Sequence, residues 1–218
     1  MQYMASLEKN IKKDKNLMGK WESNKKSVTD KDVRDNVRVV LFISRNKDNK
    51  HLSGFKQRRE SFITTKSTEE LYEKFKEFVL RGIEGENSRF YISVNTRDLA
   101  KIRDELLVEI IKAKSGRGLL FIQSLISSIA SKKEYAKTRK WLLDIDTKDT
   151  ETLESIKEYL SSKEVDIEKT VETPNGYHMV LEHGFDTRGF NEMFPEVGIK
   201  RDDLLLLASN IKSNGSVQ

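Results

Sequence analysis

The chain has 218 residues, of which 36% are hydrophobic and 34% charged, and its formal net charge is +5. A chain of this length buries roughly 70% of its unfolded surface, so we expect one large or two small packed domains and not a disordered protein. The absence of cysteine excludes disulfides, thiolate metal sites and thiol catalysis. No apolar leader follows Met1 and no run of about 18 apolar residues occurs, which predicts an intracellular, soluble protein without a membrane partner.

Positive charge is concentrated near the N-terminus. Residues 1–60 contain 16 Lys and Arg against 8 Asp and Glu, whereas the rest of the chain sums to a charge of −3. Residues 1–35 carry only scattered apolar side chains, which predicts a basic, partly mobile arm. Such an arm suits a polyanion such as nucleic acid, and an ordinary solvated surface is the alternative.

Residues 36–135 are predicted to form an N-terminal α/β subdomain with the order β, β, α, β, α, α. Ser67 or Thr68 is expected to cap the first helix, whose apolar residues recur at helical spacing. The predicted strands cover residues 37–44, 55–65 and 88–95. The first predicted helix begins near residue 67, the second covers about 96–113 and the third covers 119–130.

Residues 136–212 are predicted to form a second subdomain with the order β, α, β, β, α, β. This order is the split arrangement of ferredoxin-like folds, so the fold class predicted for the whole chain is α+β. The predicted strands cover residues 141–146, 165–172, 177–182 and 203–208, and the predicted helices cover 150–161 and 190–194.

The strand predicted over residues 141–146 ends in two carboxylates. Asp144 and Asp146 are two residues apart, which places both on the same face of a strand. Two carboxylates side by side repel each other unless a cation intervenes, and oxygen ligands of this kind suit Mg²⁺ or Mn²⁺. The alternative is an ordinary acidic strand end before a helix cap.

A second motif follows about thirty residues later. Pro174-Asn175-Gly176 predicts a turn, and the strand that follows begins with Tyr177 and His178. A lone histidine on a strand is usually structural, yet beside a carboxylate pair it indicates phosphate chemistry.

Together the two motifs resemble the catalytic core of the archaeo-eukaryotic primase superfamily, particularly the small primase-polymerases of phages, plasmids and mobile elements. The resemblance covers about residues 88–209 and includes the aromatic strand Phe90-Tyr-Ile-Ser-Val-Asn95. It implies a nucleotidyltransferase of DNA replication that binds a nucleoside triphosphate with Mg²⁺ or Mn²⁺. The partner would be single-stranded or primed nucleic acid, and any unwinding would come from a separate helicase.

The resemblance also implies roles for individual residues. Asp144 and Asp146 would bind the metal, and His178 would contact the nucleotide phosphates beside Asn175 and Gly176. The third acidic motif of the family has two alignments here. One places Asp202 or Asp203 as a further metal ligand, with Lys200 and Arg201 on the phosphates. The other places Gly198 at the ligand position and leaves that ligand missing.

Lys56, Arg58 and Arg59 lie among aromatic residues, an arrangement that binds single strands by charge and stacking but also occurs on ordinary surface hairpins. Two other functions stay open. One is a nucleotide- or nucleic-acid-binding module of the same fold that has lost catalysis, and the other is a metal-dependent nuclease or phosphoesterase that uses the same two carboxylates.

Overall fold

The structure is a computed structural model that describes residues 37–113 and 120–213. The arm predicted over residues 1–35 lies outside the described residues. The described part is a mixed α+β fold with two antiparallel sheets and five helices, which confirms the predicted class at this level. The strands are β1 (Arg38–Ser44), β2 (Arg58–Thr64), β3 (Asn87–Ser93), β4 (Trp141–Ile145), β5 (Ile167–Glu172), β6 (Tyr177–Leu181), β7 (Val197–Lys200) and β8 (Leu204–Ile211). The helices are α1 (Thr68–Leu80), α2 (Leu99–Lys112), α3 (Ile122–Ala130), α4 (Thr150–Ser162) and α5 (Phe190–Met193).

The first sheet has the strand order β2-β1-β3-β8. One of its faces is an aromatic cluster, in which the Phe42 ring lies 5.1 Å from that of Phe90 and 5.4 Å from that of Phe75 on α1. Helix α1 begins with the predicted cap: the Ser67 side chain accepts from the Glu70 backbone N–H, and the Glu70 side chain accepts from the Ser67 N–H. The helical spacing of the apolar residues therefore corresponds to the face of α1 that is buried in the core.

The second sheet has the strand order β5-β6-β4-β7, so the two strands linked by α4 lie on either side of β6. One face of this sheet is covered by α4 and α5, because alternate strand residues such as Leu143, Ile145 and Met179 are buried against Ile156 and Phe190. The opposite face meets the first sheet, and Leu142, Val171 and Val180 share a buried cluster with residues of β1, β3 and β8.

Strand β8 differs from the prediction. Residues 203–208 were expected to complete the second sheet, yet Leu204–Ile211 pairs with β3 in the first sheet. The edge of the second sheet is formed instead by Val197–Lys200, which pairs with β4. That strand has only four residues and includes a glycine, so its sequence carries almost no period-two signal. The first sheet therefore includes one strand that lies after residue 136 in the chain.

Within the described residues, no helix combines the length and apolar character required to cross a bilayer.

Lys169 on β5 is a buried cation between the sheets. Its side chain belongs to a residue only 6% exposed, and its Nζ has no hydrogen-bond partner in the described part of the chain. Burial lowers the pKa of Lys169 from 10.5 to about 8; the charge of Arg38 acts in the same direction and that of Glu168 in the opposite one. The protonated amine therefore destabilises the folded state.

We expect Lys169→Met to raise the free energy of unfolding at pH 7 by up to about 3 kcal/mol, the value of the pKa difference. Between pH 8 and 10.5 the Lys169 amine is protonated in the unfolded chain but largely neutral in the folded protein. The loss of stability caused by the buried charge is therefore complete below about pH 8 and decreases as the pH rises from 8 to 10.5. Urea unfolding at pH 7 and pH 10 measures both values. The exposed Lys137→Met is the control, and an equal gain at both pH values for Lys169→Met would contradict the prediction.

Candidate functional site

Asp144 and His178 come together because β4 and β6 are neighbouring strands. The two residues are directly opposite in the antiparallel register, and His178 Nε2 lies 3.3 Å from Asp144 Oδ1. The imidazole is 12% exposed and the carboxylate 38% exposed, so the pair is half-buried and reachable from solvent. Two segments that are 34 positions apart in sequence thus form one site.

The orientation of the imidazole is set from the other sheet. The backbone N–H of Leu206 on β8 donates to His178 Nδ1 at 3.3 Å. Because Nδ1 accepts this hydrogen bond, the ring proton belongs on Nε2, which faces Asp144. The sequence held no signal for this contact, since it depends on β8 crossing to the first sheet.

Asp144 is held in its ionised form. The hydrogen bond from His178 lowers the pKa of Asp144, and the positive charge of Lys200 adds to this effect, while burial opposes it. Lys200 reaches Asp144 electrostatically because β7 is the other neighbour of β4. An ionised carboxylate is the form that binds a divalent cation.

The hairpin turn before His178 packs tightly on the end of β4. The Thr173 N–H donates to the Gly176 carbonyl at 2.8 Å, and the Gly176 N–H donates to Thr173 Oγ1 at 3.1 Å. A Cβ at Gly176 would lie 1.9 Å from the Ile145 carbonyl oxygen, so only glycine fits this close backbone approach. Gly176 therefore positions the turn against the strand that carries the carboxylates. The neighbouring Asn175 lines the cavity described below.

A cavity of about 570 Å³ opens between the two sheets. Asp144, Asp146 and His178 all line it. The remaining lining residues are Leu41, Ile43, Arg45, Lys47, Asp48, Lys50, Arg89, Tyr91, Leu142, Thr173, Pro174, Asn175, Asp203, Leu204 and Leu206. The cavity thus has carboxylates of the second sheet on one side and cations from β3 and the turn after β1 on the other, and apolar side chains of both sheets also line it.

The cations of this cavity are residues that the sequence analysis missed. Arg45, Lys47 and Lys50 lie in the turn after β1 and Arg89 lies in β3, and none of them was predicted to belong to a site. Three basic residues within six positions directly after a strand were an available signal. The sequence gives no signal that these side chains face the same cavity as Asp144, because that depends on how the two sheets pack.

Of the two aspartates proposed as a third ligand, only Asp203 faces the cavity. Asp202 is engaged elsewhere, in a buried bidentate ion pair with Arg97 at 2.7 and 3.1 Å. Asn95 Nδ2 also donates to Asp202 at 3.1 Å and to the Lys140 carbonyl at 2.9 Å. Asp202 therefore holds the crossover before β8 in place, and its proposed role as a ligand does not agree with this position.

The carboxylates do not form a complete protein cage for a metal. Within residues 37–113 and 120–213, no three His, Asp or Glu side chains converge as a metal-binding group. Gly198, the direct neighbour of Asp144 on β7, occupies the position where a third carboxylate would complete one. The donor set fits Mg²⁺ or Mn²⁺ held by Asp144 and Asp146 with water and substrate oxygens in the other positions.

The other predicted phosphate contacts lie outside the cavity. Lys200 and Arg201 are exposed, and the Arg201 guanidinium lies over the Trp141 ring at 5.3 Å from its centroid. Lys200 therefore contributes its charge to Asp144 and does not line the space.

Arg58 makes structural contacts. It pairs with Glu86, whose side chain is 2% exposed, and its guanidinium lies 4.4 Å from the centroid of the Phe78 ring. Lys56 and Arg59 are exposed. Arg59 pairs in register with Ile43, which places it on the cavity-facing side of the first sheet.

Asp202→Ala is expected to lower the free energy of unfolding by about 3–5 kcal/mol, because it leaves the buried Arg97 charge without its partner. The matched change Asp203→Ala removes an exposed carboxylate whose side chain accepts only from the Leu204 N–H in the described structure, and should cost less than about 1 kcal/mol. Urea denaturation followed by circular dichroism compares the two. Equal losses would contradict the structural role assigned to Asp202.

Comparison of the chain with models of known protein families, with curated proteins and with solved structures gives no match. The function is therefore inferred from the contacts and charges of the site residues themselves.

Proposed function

We propose that this protein is a primase-polymerase-like nucleotidyltransferase that binds a nucleoside triphosphate with Mg²⁺ or Mn²⁺ and starts or extends a nucleic-acid strand. The observation that supports it is the convergence of Asp144, Asp146 and His178 on one cavity, with Asp144 and His178 within 3.3 Å. These are the residues for which the resemblance to the primase superfamily implies metal and phosphate binding.

The size and charge of the cavity support a nucleotide ligand. Its volume of about 570 Å³ is in the range of small-molecule sites, roughly 300–1,000 Å³. A polyphosphate needs cations on all sides, and here a metal on the carboxylates and the basic side chains opposite would supply them. Leu41, Ile43 and Tyr91 provide an apolar surface for the flat base or the sugar.

The site residues would divide the work between them. Asp144 and Asp146 would hold the divalent metal, which supplies activation of the attacking hydroxyl and stabilisation of the leaving pyrophosphate. The Nε2–H of His178 is a donor that a phosphate oxygen would share with Asp144. Exposed Arg59, on the same side of the first sheet as the cavity, would contact the phosphates of the strand together with Lys56.

The topology also supports the proposal. We interpret the order β4, α4, β5, β6, α5, β7 with the strand order β5-β6-β4-β7 as a split ferredoxin-like half. It uses Val197–Lys200 as its last strand, in place of the strand predicted over residues 203–208. Asn95, two positions after β3, donates to the Lys140 carbonyl just before β4, which joins the aromatic strand to the first acidic motif.

A binding module without catalysis is the second candidate. The absence of a converging carboxylate trio among the described residues and the glycine opposite Asp144 favour it. Such a module would hold a metal-bound nucleotide weakly and release it unchanged.

Incorporation of a labelled nucleotide into a primed or single-stranded template should require Mg²⁺ or Mn²⁺ and should fall at least about 100-fold in Asp144→Asn, since two-metal chemistry depends on that carboxylate. Asp166→Asn, an exposed carboxylate outside the cavity, is the control. Thermal melting verifies that both variants fold. Undiminished incorporation in Asp144→Asn would contradict the enzyme assignment, and strand cleavage without pyrophosphate release would indicate a nuclease.

Gly198→Asp tests whether a ligand is missing from the site. A Cβ at this position would lie 3.6 Å from Asp144 Cβ, which is ordinary contact, so the new carboxylate fits beside the first. We expect Mn²⁺ affinity to rise about tenfold or more, measured by isothermal titration calorimetry with the metal alone. Gly198→Asn is the uncharged control. Unchanged Mn²⁺ affinity in Gly198→Asp would show that the metal does not bind next to Asp144.

A further inference from the structure

Two arginines on the cavity wall opposite Asp144 share one carboxylate. Asp48 Oδ2 accepts from Arg45 Nε at 2.6 Å, and Asp48 Oδ1 accepts from Arg45 Nη2 at 3.2 Å. Asp48 Oδ1 also accepts from Arg89 Nη2 at 2.9 Å. All three side chains line the cavity, so two guanidinium groups face one planar anion at its wall.

The segment that carries this arrangement is held in one conformation. Residues Asn46–Asp48 form a single 3₁₀ turn. Asn49, which is 1% exposed, donates from Nδ2 to the carbonyls of Arg45 and Asn87 at 2.9 and 3.0 Å. Its Oδ1 accepts from the Asn87 N–H at 2.6 Å. The turn is therefore pinned to the start of β3, which keeps Arg45 and Arg89 side by side before any ligand arrives.

The charge of this wall is not balanced. Arg45 and Arg89 carry two positive charges against the single negative charge of Asp48, and Lys47 and Lys50 line the same wall. The side chains of Arg45, Asp48 and Arg89 are 24%, 11% and 14% exposed, so the interaction is screened less than a surface ion pair. Arg89 Nε is buried and has no hydrogen-bond partner among the described residues. Arg89 Nη1 donates a long hydrogen bond of 3.4 Å to the Tyr91 hydroxyl. The two guanidinium groups therefore have N–H donors that Asp48 does not use.

We propose that Arg45 and Arg89 form a phosphate clamp and that Asp48 occupies, in the structure described here, the place of a ligand phosphate. A phosphate offers planar pairs of oxygens with the spacing that a guanidinium matches, as a carboxylate does, and it carries more charge. The ligand would be the polyphosphate of a nucleotide, with its metal-bound part on Asp144 and Asp146 and another phosphate on the clamp. This assignment deepens the proposed function and rests on it.

The clamp is tested with inorganic tripolyphosphate in the presence of EDTA, so that the carboxylates and their metal take no part. Isothermal titration calorimetry should show that Arg89→Gln weakens binding at least about tenfold, because charge-assisted hydrogen bonds are lost. Asp48→Asn should tighten binding several-fold, since the competing charge is removed while the size of the side chain is kept. Arg103→Gln, an exposed residue on α2, is the control and should bind as the unaltered protein does.

Arg89→Gln removes one of the two arginine partners of Asp48, which could destabilise the fold and so weaken binding indirectly. The double variant Arg89→Gln, Asp48→Asn removes the charge of Asp48 as well, so a loss of binding that persists in it is not caused by an unpaired carboxylate. The clamp is overturned if Arg89→Gln binds tripolyphosphate as tightly as the unaltered protein, or if Asp48→Asn weakens binding. Competition separates the two sources of phosphate: a nucleoside triphosphate should displace tripolyphosphate, and displacement only by an oligonucleotide without terminal phosphates would overturn the assignment to a nucleotide.

The two proposals fail in different ways. If the enzyme assignment is wrong, nucleotide incorporation is absent while tripolyphosphate still binds to the clamp and responds to Arg89→Gln. If the clamp is wrong, binding without metal is insensitive to Arg89→Gln, whereas metal-dependent incorporation still depends on Asp144.

Discussion

The hydrogen bond from the Leu206 N–H to His178 is the contact on which the site depends. It joins the edge strand of the first sheet to the second sheet, and it sets which nitrogen of the imidazole faces Asp144. It requires β8 to pair with β3 while its free edge faces β6. The buried Arg97–Asp202 pair fixes the residues just before β8, so a structural ion pair and the candidate site are parts of one connection.

The cavity is an electrostatic arrangement that neither sheet forms alone. The second sheet brings Asp144 and Asp146, and the first sheet and its turn bring Arg45 and Arg89. Carboxylates and guanidinium groups facing each other across open space would pair directly if they were closer. Held apart by the packed sheets, they are suited to a ligand that carries a cation at one end and phosphates at the other.

Several sequence predictions depended on local chemistry and agree with the structure at that level. The helix capped by Ser67 forms with its predicted apolar stripe, and the Pro-Asn-Gly turn leads into β6 as expected. Asp144, Asp146 and His178 line one cavity. Local chemistry did not predict the roles of the basic residues Lys56, Arg58, Arg59, Lys200 and Arg201. An arginine that pairs with a buried glutamate and an arginine that faces solvent have the same local sequence pattern.

The sequence by itself determined the mixed α+β class and most of the strands and helices, since these follow from residue spacing within one element or its neighbour. A shared site for Asp144 and His178 was implied only by the family resemblance. Only the tertiary structure decided that Asp203 and not Asp202 faces the cavity, that β8 crosses to the first sheet, and that Arg45 and Arg89 oppose Asp144. These facts depend on long-range packing between the sheets. A side chain's partner across the core is set by which faces are buried together, and no local period in the chain records that choice.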